Sequence, residues 1–110
     1  GVVGDIEGTV ICSMTRTVAL GISGRMLGGA RLRELGDLGR SAISDLATMI
    51  SRDGAAELCG TGFECETTPA TVIEGGRMRV TTVERTLCVP IESELGTLLI
   101  IVDLREATGR

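Results

Sequence analysis

A single helix-like segment between strand-like segments is the feature that most constrains the fold of this chain. From about residue 32 to residue 58, apolar residues recur with the 3.6-residue period of an α-helix. Runs of β-branched and apolar residues that are typical of strands lie on both sides of it, at about 5–13, 17–22, 71–73, 78–91 and 97–104. Strands before and after one long helix predict an α+β fold, in which the helix packs on one face of a largely antiparallel sheet.

Glycine, proline and small polar residues predict where these elements begin and end. Residues 13–16 predict a hairpin between the first two strands, and residues 23–29 predict one short helical turn that stops at two glycines. We expect Asp37 to be the N-cap of the main helix, with a bend near residues 36–39, because interior glycines weaken a helix. Pro90 lies late in the fourth strand and predicts an edge strand or a bulge there.

Length and charge restrict the class of protein. The 110 residues fit one domain, residues 1–110, and a hydrophobic content of 43% is enough for a modest core. The net charge is −4, and Phe63 is the only aromatic residue, so the chain lacks the positive charge and the stacking platforms of nucleic-acid-binding proteins. The longest apolar run, residues 98–102, is far shorter than a membrane span. We therefore expect no nucleic-acid partner and no membrane association.

The four cysteines and the absence of histidine bear on metal binding and on the cellular compartment. The cysteines form no C-x-x-C pair, so no metal site is expected. Cys12 and Cys88 lie among Val, Ile and Leu, as buried free thiols do, which favours a cytoplasmic location. A disulfide between Cys59 and Cys65 across a turn stays open as the less favoured alternative.

The main helix carries a polar stripe and a separate apolar stripe. Four polar residues spaced by four, three and four positions share one narrow line on a helix: Ser41, Asp45, Thr48 and Arg52. Five apolar residues form the line that we expect to be buried: Leu35, Leu38, Ala42, Leu46 and Met49. Pro69 follows Thr48 by twenty-one positions. Taken alone, the polar stripe is typical of a solvated helix face.

This arrangement resembles the motif of the CheX/CheC family of bacterial chemotaxis phosphatases. That motif is an Asp or Ser, three residues, a Glu, two residues, an Asn, and a Pro some twenty residues later. Ser41 matches the first position, and Pro69 falls about two residues early. Asp45 and Thr48 stand where the family has Glu and Asn, so both catalytic positions carry shorter side chains.

Further landmarks of the family are distributed over most of the chain. They are residues 4–8 (GDIEG), 26–29 (MLGG), 67–71 (TTPAT) and 87–91 (LCVPI). The helix motif occurs once, as in CheX, whereas the helix that precedes the first strand in CheX-like proteins has no counterpart in this sequence. CheX-like proteins are homodimers joined through their sheets. The resemblance therefore implies a homodimer, with residues 78–91 as the candidate strand for exchange or edge pairing.

The resemblance also implies a reaction. The family's substrate is the phosphorylated response regulator CheY, whose aspartyl phosphate is hydrolysed by an in-line water. The family's Asn orients that water, and its Glu pairs with a Lys of the regulator. Asp45 and Thr48 are therefore the candidate catalytic residues, and Ser41, Arg52 and Pro69 are the candidate partner-binding residues. No cofactor is expected, because the Mg²⁺ belongs to the regulator.

Three hypotheses account for these features. The first is a CheX-like phosphatase of weak activity, because a Thr hydroxyl cannot reach as far as the carboxamide of Asn. The second is a non-catalytic dimer that binds a response regulator in two-component signalling. The third is a dimeric structural module whose polar stripe has no specific role. The first two require an exposed stripe, and only the first requires it to hold a water against phosphorus.

Overall fold

The computed structural model describes residues 1–60, 62, 64–75 and 87–107. Its elements in chain order are strands β1 (Val2–Gly4) and β2 (Ile6–Ser13), helices α1 (Arg16–Met26) and α2 (Gly36–Cys59), and strands β3 (Cys65–Thr67), β4 (Leu87–Ser93) and β5 (Gly96–Glu106). The strands form one antiparallel sheet in the order β3-β1-β2-β5-β4. A long helix packed on an antiparallel sheet confirms the predicted α+β fold.

The centre of the sheet is the long pairing of β2 with β5, whose register places Ile6 opposite Glu106. Among the described strands, β4 pairs only with β5 and forms one edge of the sheet, with Pro90 opposite Leu99. The predicted edge position of Pro90 is therefore confirmed. The tight turn between β4 and β5 requires Gly96, whose φ is +126°.

The strand predicted at residues 17–22 is wrong, and so is the hairpin predicted before it. Helix α1 occupies this region instead. The Thr15 hydroxyl caps the helix by accepting a hydrogen bond from the Val18 backbone N–H (3.3 Å). Val18 and Ser23 are buried, so tertiary packing outweighs the β-propensity of the branched residues in this segment. The turn predicted at residues 23–29 is the last turn of α1 and its glycine stop.

Helix α2 begins at Gly36, whose φ of +60° is left-handed, and continues without a break to Cys59. The bend predicted near residues 36–39 is instead the start of the helix. Asp37 lies in the first turn rather than at the N-cap, where its carboxylate still faces the positive end of the helix dipole.

The buried face of α2 differs from the apolar stripe predicted from the sequence. Ala42 is buried, but the side chains of Leu38 and Met49 are 72% and 50% exposed. Gly39 is buried against α1, where the Ser23 hydroxyl donates a hydrogen bond to its carbonyl oxygen (3.3 Å). Small residues at this crossing let the two helices approach closely, and this approach decides which face of α2 turns inward.

Two further strand predictions are corrected or limited by the structure. Strand β3 has no counterpart among the predicted strands, whereas residues 71–73 have no regular secondary structure. Of the strand predicted at residues 78–91, residues 78–86 lie outside the described part, and β4 confirms its end. The strand predicted at residues 97–104 is confirmed as β5. Cys88, which was expected to be buried, is exposed in β4.

The apolar core lies between the helices and the sheet. Its buried residues are Val2, Ile6, Val18, Ala42, Ile43, Leu98 and Ile100. Under the C-terminal half of α2, an apolar cavity of about 270 Å³ lies against the sheet, lined in part by Ile50, Gly54 and Val102. Over the described residues, neither helix is long and apolar enough to cross a membrane.

Candidate functional site

The outward face of α2 carries the polar stripe predicted from the sequence. Because each helical residue advances by about 100°, four polar residues fall within a sector of about 60°: Ser41, Asp45, Thr48 and Arg52. Ser41, Asp45 and Arg52 are exposed, and Thr48 is half-buried at the edge of the sector. We call these four residues the motif face. The structure thus brings four of the five predicted site residues onto one accessible surface.

Two large apolar side chains that the sequence analysis assigned to the buried side lie on the same face. Met49 is one helical turn after Asp45 and Leu38 is two turns before it, and both side chains are exposed. Apolar side chains beside an exposed charge provide contact area for a protein partner. Met49 lies four residues after Asp45 and Leu38 seven residues before it, and this helical spacing could have predicted that they share a face with Asp45.

The Thr48 side chain is held by a hydrogen bond to its own helix. Its hydroxyl donates to the backbone carbonyl oxygen of Ser44 (2.9 Å), four residues earlier. A hydroxyl has one proton and two lone pairs, so Thr48 retains acceptor capacity toward its surroundings. A water bound at this position would therefore donate a hydrogen bond to Thr48 rather than accept one.

Pro69 lies in an irregular stretch, residues 68–74, which we call the Pro69 segment. At its start, the Thr68 backbone N–H donates a hydrogen bond to the Gly1 carbonyl oxygen (2.9 Å), directly beyond the pairing of β3 with β1. Pro69 itself is exposed. The segment is therefore fixed to the sheet at one end, immediately before the predicted site residue.

Two side chains of α2 bind the same segment from the helix side. The Ser44 hydroxyl donates a hydrogen bond to the Ala70 carbonyl oxygen (3.1 Å). The Arg40 guanidinium donates through Nε to the Glu74 carboxylate (2.6 Å) and, more weakly, through Nη1 to the Asp37 carboxylate (3.4 Å). The Pro69 segment is thus held alongside α2, next to the motif face.

The ion pair between Arg40 and Glu74 lies at the surface, with side chains that are 48% and 47% exposed. The hydrogen bond with Glu74 and then its negative charge raise the pKa of the Arg40 guanidinium. Sequence reasoning did not select Arg40, Ser44 or Glu74. The available signal was the spacing of Arg40, Ser44 and Thr48 by four residues, which places them in one line on the helix.

The motif face presents a carboxylate and a hydroxyl acceptor to solvent. An exposed carboxylate can pair with a cationic side chain of a partner, and a hydroxyl acceptor can orient a water by taking one of its hydrogen bonds. Within the described ranges, no three His, Cys, Asp or Glu side chains are grouped so that they would hold a metal ion.

Comparisons with known proteins find a likeness to CheX. The CheY-P phosphatase CheX of Thermotoga maritima is 33% identical over 91 residues, which are 83% of this chain and 59% of that protein. The chain therefore spans less than two thirds of the length of this relative. No family model matches the chain.

A solved structure has the same fold. The crystal structure of the chemotaxis protein CheX from Vibrio vulnificus matches 96% of this chain and 72% of its own chain, with a TM-score of 0.77 and 22% sequence identity. The likeness of fold extends over nearly all of the present chain, and the sequence likeness to the Thermotoga protein extends over most of it. Together, these matches show that the chain has the fold of CheX and is similar to CheX in sequence over most of its length.

Proposed function

We propose that this protein acts on a phosphorylated response regulator of the CheY type and slowly hydrolyses its aspartyl phosphate. The name of the Thermotoga relative, CheY-P phosphatase, supports this substrate. The observation that carries the proposal is the position of Asp45 and Thr48, which replace the motif's Glu and Asn on an accessible helix face of a CheX-family fold. Groups on such a face can reach a phosphoryl group that a docked partner presents.

Each of the two residues has a separate role in this proposal. Asp45 forms an ion pair with a cationic side chain of the regulator and fixes the docking geometry. Thr48 accepts a hydrogen bond from the attacking water, which lies in line with phosphorus and the leaving carboxylate. Because Thr48 donates its only proton to Ser44, it offers the water an acceptor but no donor, whereas a carboxamide offers both. This loss and the shorter reach make the reaction slow.

The remaining predicted residues are proposed to bind the regulator without taking part in the chemistry. Ser41 and Arg52 border Asp45 on the motif face, and Pro69 is exposed on the neighbouring segment. In this proposal the Mg²⁺ is bound by the regulator, and the protein contributes no cofactor. The proposal also includes a role in chemotaxis and the cytoplasmic location expected from the sequence.

We also propose that two copies of the chain pair along β4. Leu87, Val89 and Ile91 lie on the same face of the sheet as the buried residues Leu98 and Ile100, because the register places them opposite that row of β5. They are nevertheless 61%, 39% and 40% exposed. A second copy that pairs with this edge would cover the apolar row and use the backbone groups of β4 that no other described strand pairs with.

The dimer proposal is tested by sedimentation velocity. Ile91→Lys is expected to convert a dimer to a monomer, because a charge would be buried at the interface. The control Leu38→Lys, at an exposed apolar residue of α2 rather than of the sheet, is expected to leave the dimer unchanged. A wild-type protein that sediments as a monomer contradicts the dimer.

The decay of the phosphorylated regulator from the same organism tests the phosphatase. Increasing amounts of the protein are expected to accelerate the decay, and Asp45→Ala or Thr48→Ala should abolish the acceleration. Two exposed residues of the same types serve as matched controls: Asp53→Ala on α2 and Thr17→Ala on α1 are expected to retain the wild-type rate.

Two other outcomes have different meanings. Unchanged decay together with saturable, phosphorylation-dependent binding would replace the phosphatase by a non-catalytic regulator-binding protein. Unchanged decay without binding would contradict any function in which the motif face docks a response regulator.

A further inference from the structure

We propose that Arg40 and Ser44 are positioning residues that hold the Pro69 segment as one wall of the docking site for the regulator. This inference rests on the proposed function, because it assigns a second element to the docking of the same partner. Neither residue belongs to the motif found in the sequence, and in this proposal neither contacts the phosphoryl centre.

The two contacts fix both the direction and the place of the wall. Ser44 binds Ala70 and Arg40 binds Glu74. The contact that lies four residues later in the segment therefore lies four residues earlier in α2. Helical residues four apart are about 6 Å apart along the axis, whereas four residues of extended chain span about twice that distance. The segment therefore runs antiparallel to the helix and has enough length to arch outward between its two anchors.

Ser44 links this wall to the proposed catalytic hydroxyl. Its carbonyl oxygen accepts the hydrogen bond from Thr48 (2.9 Å), while its own hydroxyl donates to Ala70 (3.1 Å). The line of Arg40, Ser44 and Thr48 is directly beside the line of Ser41 and Asp45 on the helix. The wall consequently borders the motif face along more than one helical turn.

The Pro69 segment exposes apolar side chains to solvent. Pro69 is exposed next to the first anchor, and the Ile73 side chain is 70% exposed next to the second. An apolar side chain on a segment that is already ordered can bind a partner without the entropy cost of ordering a loop. The geometry thus points to a preorganised contact surface whose position depends on the two helix side chains.

Titration of a beryllofluoride-loaded receiver domain of the regulator, read as a dissociation constant, tests this role. Arg40→Gln and Glu74→Gln are each expected to weaken binding about threefold to fivefold, the upper range for an exposed ion pair. The double variant should be no weaker than either single variant, because both remove the same contact. Arg40→Lys, which keeps the cation, should bind more tightly than Arg40→Gln. Adding Ser44→Ala to Arg40→Gln should bring the loss to about tenfold.

A matched control variant and a kinetic measurement distinguish a positioning role of Arg40 from a general structural role and from a catalytic role. Arg25 forms an ion pair of similar type with Glu94 (3.1 Å), which joins α1 to the turn between β4 and β5, and Arg25→Gln is expected to leave binding unchanged. In the decay assay, Arg40→Gln should raise KM and leave kcat within about twofold of wild type, whereas Thr48→Ala should lower kcat.

Three results would overturn the inference. Weakened binding in Arg40→Gln but not in Glu74→Gln would mean that Arg40 contacts the regulator directly. Wild-type affinity in every variant of Arg40, Glu74 and Ser44 would mean that the Pro69 segment takes no part in docking, while leaving the proposed function intact. Failure of the wild-type protein to bind the loaded receiver would overturn the proposed function and this inference together.

Discussion

The two halves of α2 are packed by different means. In the N-terminal half, residues 36–48, Gly39 and Ala42 are buried, and Arg40 and Ser44 hold the Pro69 segment. In the C-terminal half, residues 49–59, the helix lies over an apolar cavity of about 270 Å³. The half that carries Asp45 and Thr48 is therefore also the half that an ion pair and a hydroxyl hydrogen bond hold to the Pro69 segment, whereas the C-terminal half accepts a weak hydrogen bond from the Cys65 thiol to the Ala55 carbonyl oxygen (4.0 Å).

This difference shows where positional precision is needed in the proposed reaction. A reacting water must be held to within a fraction of an ångström, and such precision comes from neighbours that fix each functional side chain. In the C-terminal half, which carries neither of the two proposed catalytic residues, the helix tolerates a gap against the sheet.

Restoring the family side chains should raise the rate most strongly. If the N-terminal half preserves the docking geometry, Asp45→Glu combined with Thr48→Asn is expected to raise turnover of the phosphorylated regulator by about 10²-fold, the effect of correcting a misplacement of about 1 Å. Single-turnover decay of the regulator measures this rate. The matched control Asp53→Glu should leave it unchanged, and an unchanged rate in the double variant would mean that the geometry has been lost.

The same truncation in the two halves should have unequal costs. Ile43 is buried in the N-terminal half, whereas Ile50 is half-buried and lines the cavity. Ile43→Ala is expected to lower the free energy of unfolding by about 3 to 4 kcal/mol, and Ile50→Ala by about 1 to 2 kcal/mol, because fewer contacts are lost. Urea unfolding with a constant m-value measures both. Equal losses would contradict the contrast between the halves.

Replacing a glycine by alanine should stabilise the C-terminal half of α2 but not the N-terminal half. A Cβ placed on Gly54 would have no described atom within 4 Å, so Gly54→Ala should stabilise the protein by about 1 kcal/mol through helix propensity. A Cβ on Gly39 would approach the Leu35 side chain to 3.0 Å, so Gly39→Ala is expected to gain nothing. Thermal unfolding compares the two variants, and a similar gain at both sites would remove this distinction.

The smallest effect is expected at the surface ion pair. Arg40→Gln should change the free energy of unfolding by less than about 1 kcal/mol, because the pair with Glu74 is half exposed. Arg25→Gln, at the more exposed pair with Glu94, provides the comparison in the same urea titration. A loss of several kcal/mol at Arg40 would mean that its contact is a structural one, and that weaker docking reflects partial unfolding.

Much of the fold follows from local sequence patterns. The helical period predicts α2, and the apolar runs predict β2 and β5. Pro90 predicts the edge strand, because a residue without an N–H is tolerated there. Residues 17–22 have a strand-like composition but form part of α1, since the Thr15 cap and burial of Val18 prevail over propensity.

The site is predictable only in part, because some of its contacts depend on tertiary packing rather than on local sequence patterns. The helical spacing alone places Asp45 and Thr48 on one face, because it depends on a single element. The contacts of Arg40 with Glu74 and of Ser44 with Ala70 join residues that are 34 and 26 positions apart. No local pattern specifies such pairs. The exposure of Leu38 likewise depends on how closely α1 and α2 approach, which the sequence does not state.

The most direct test of the docking surface is a backbone amide chemical-shift map of the protein with the beryllofluoride-loaded receiver domain. We predict that the shifted amides cluster on α2 between residues 38 and 52 and on the Pro69 segment, with β4 unaffected. Shifts confined to β4, or no shifts at a saturating concentration of the receiver, would contradict the proposal that the motif face is the docking site for a response regulator.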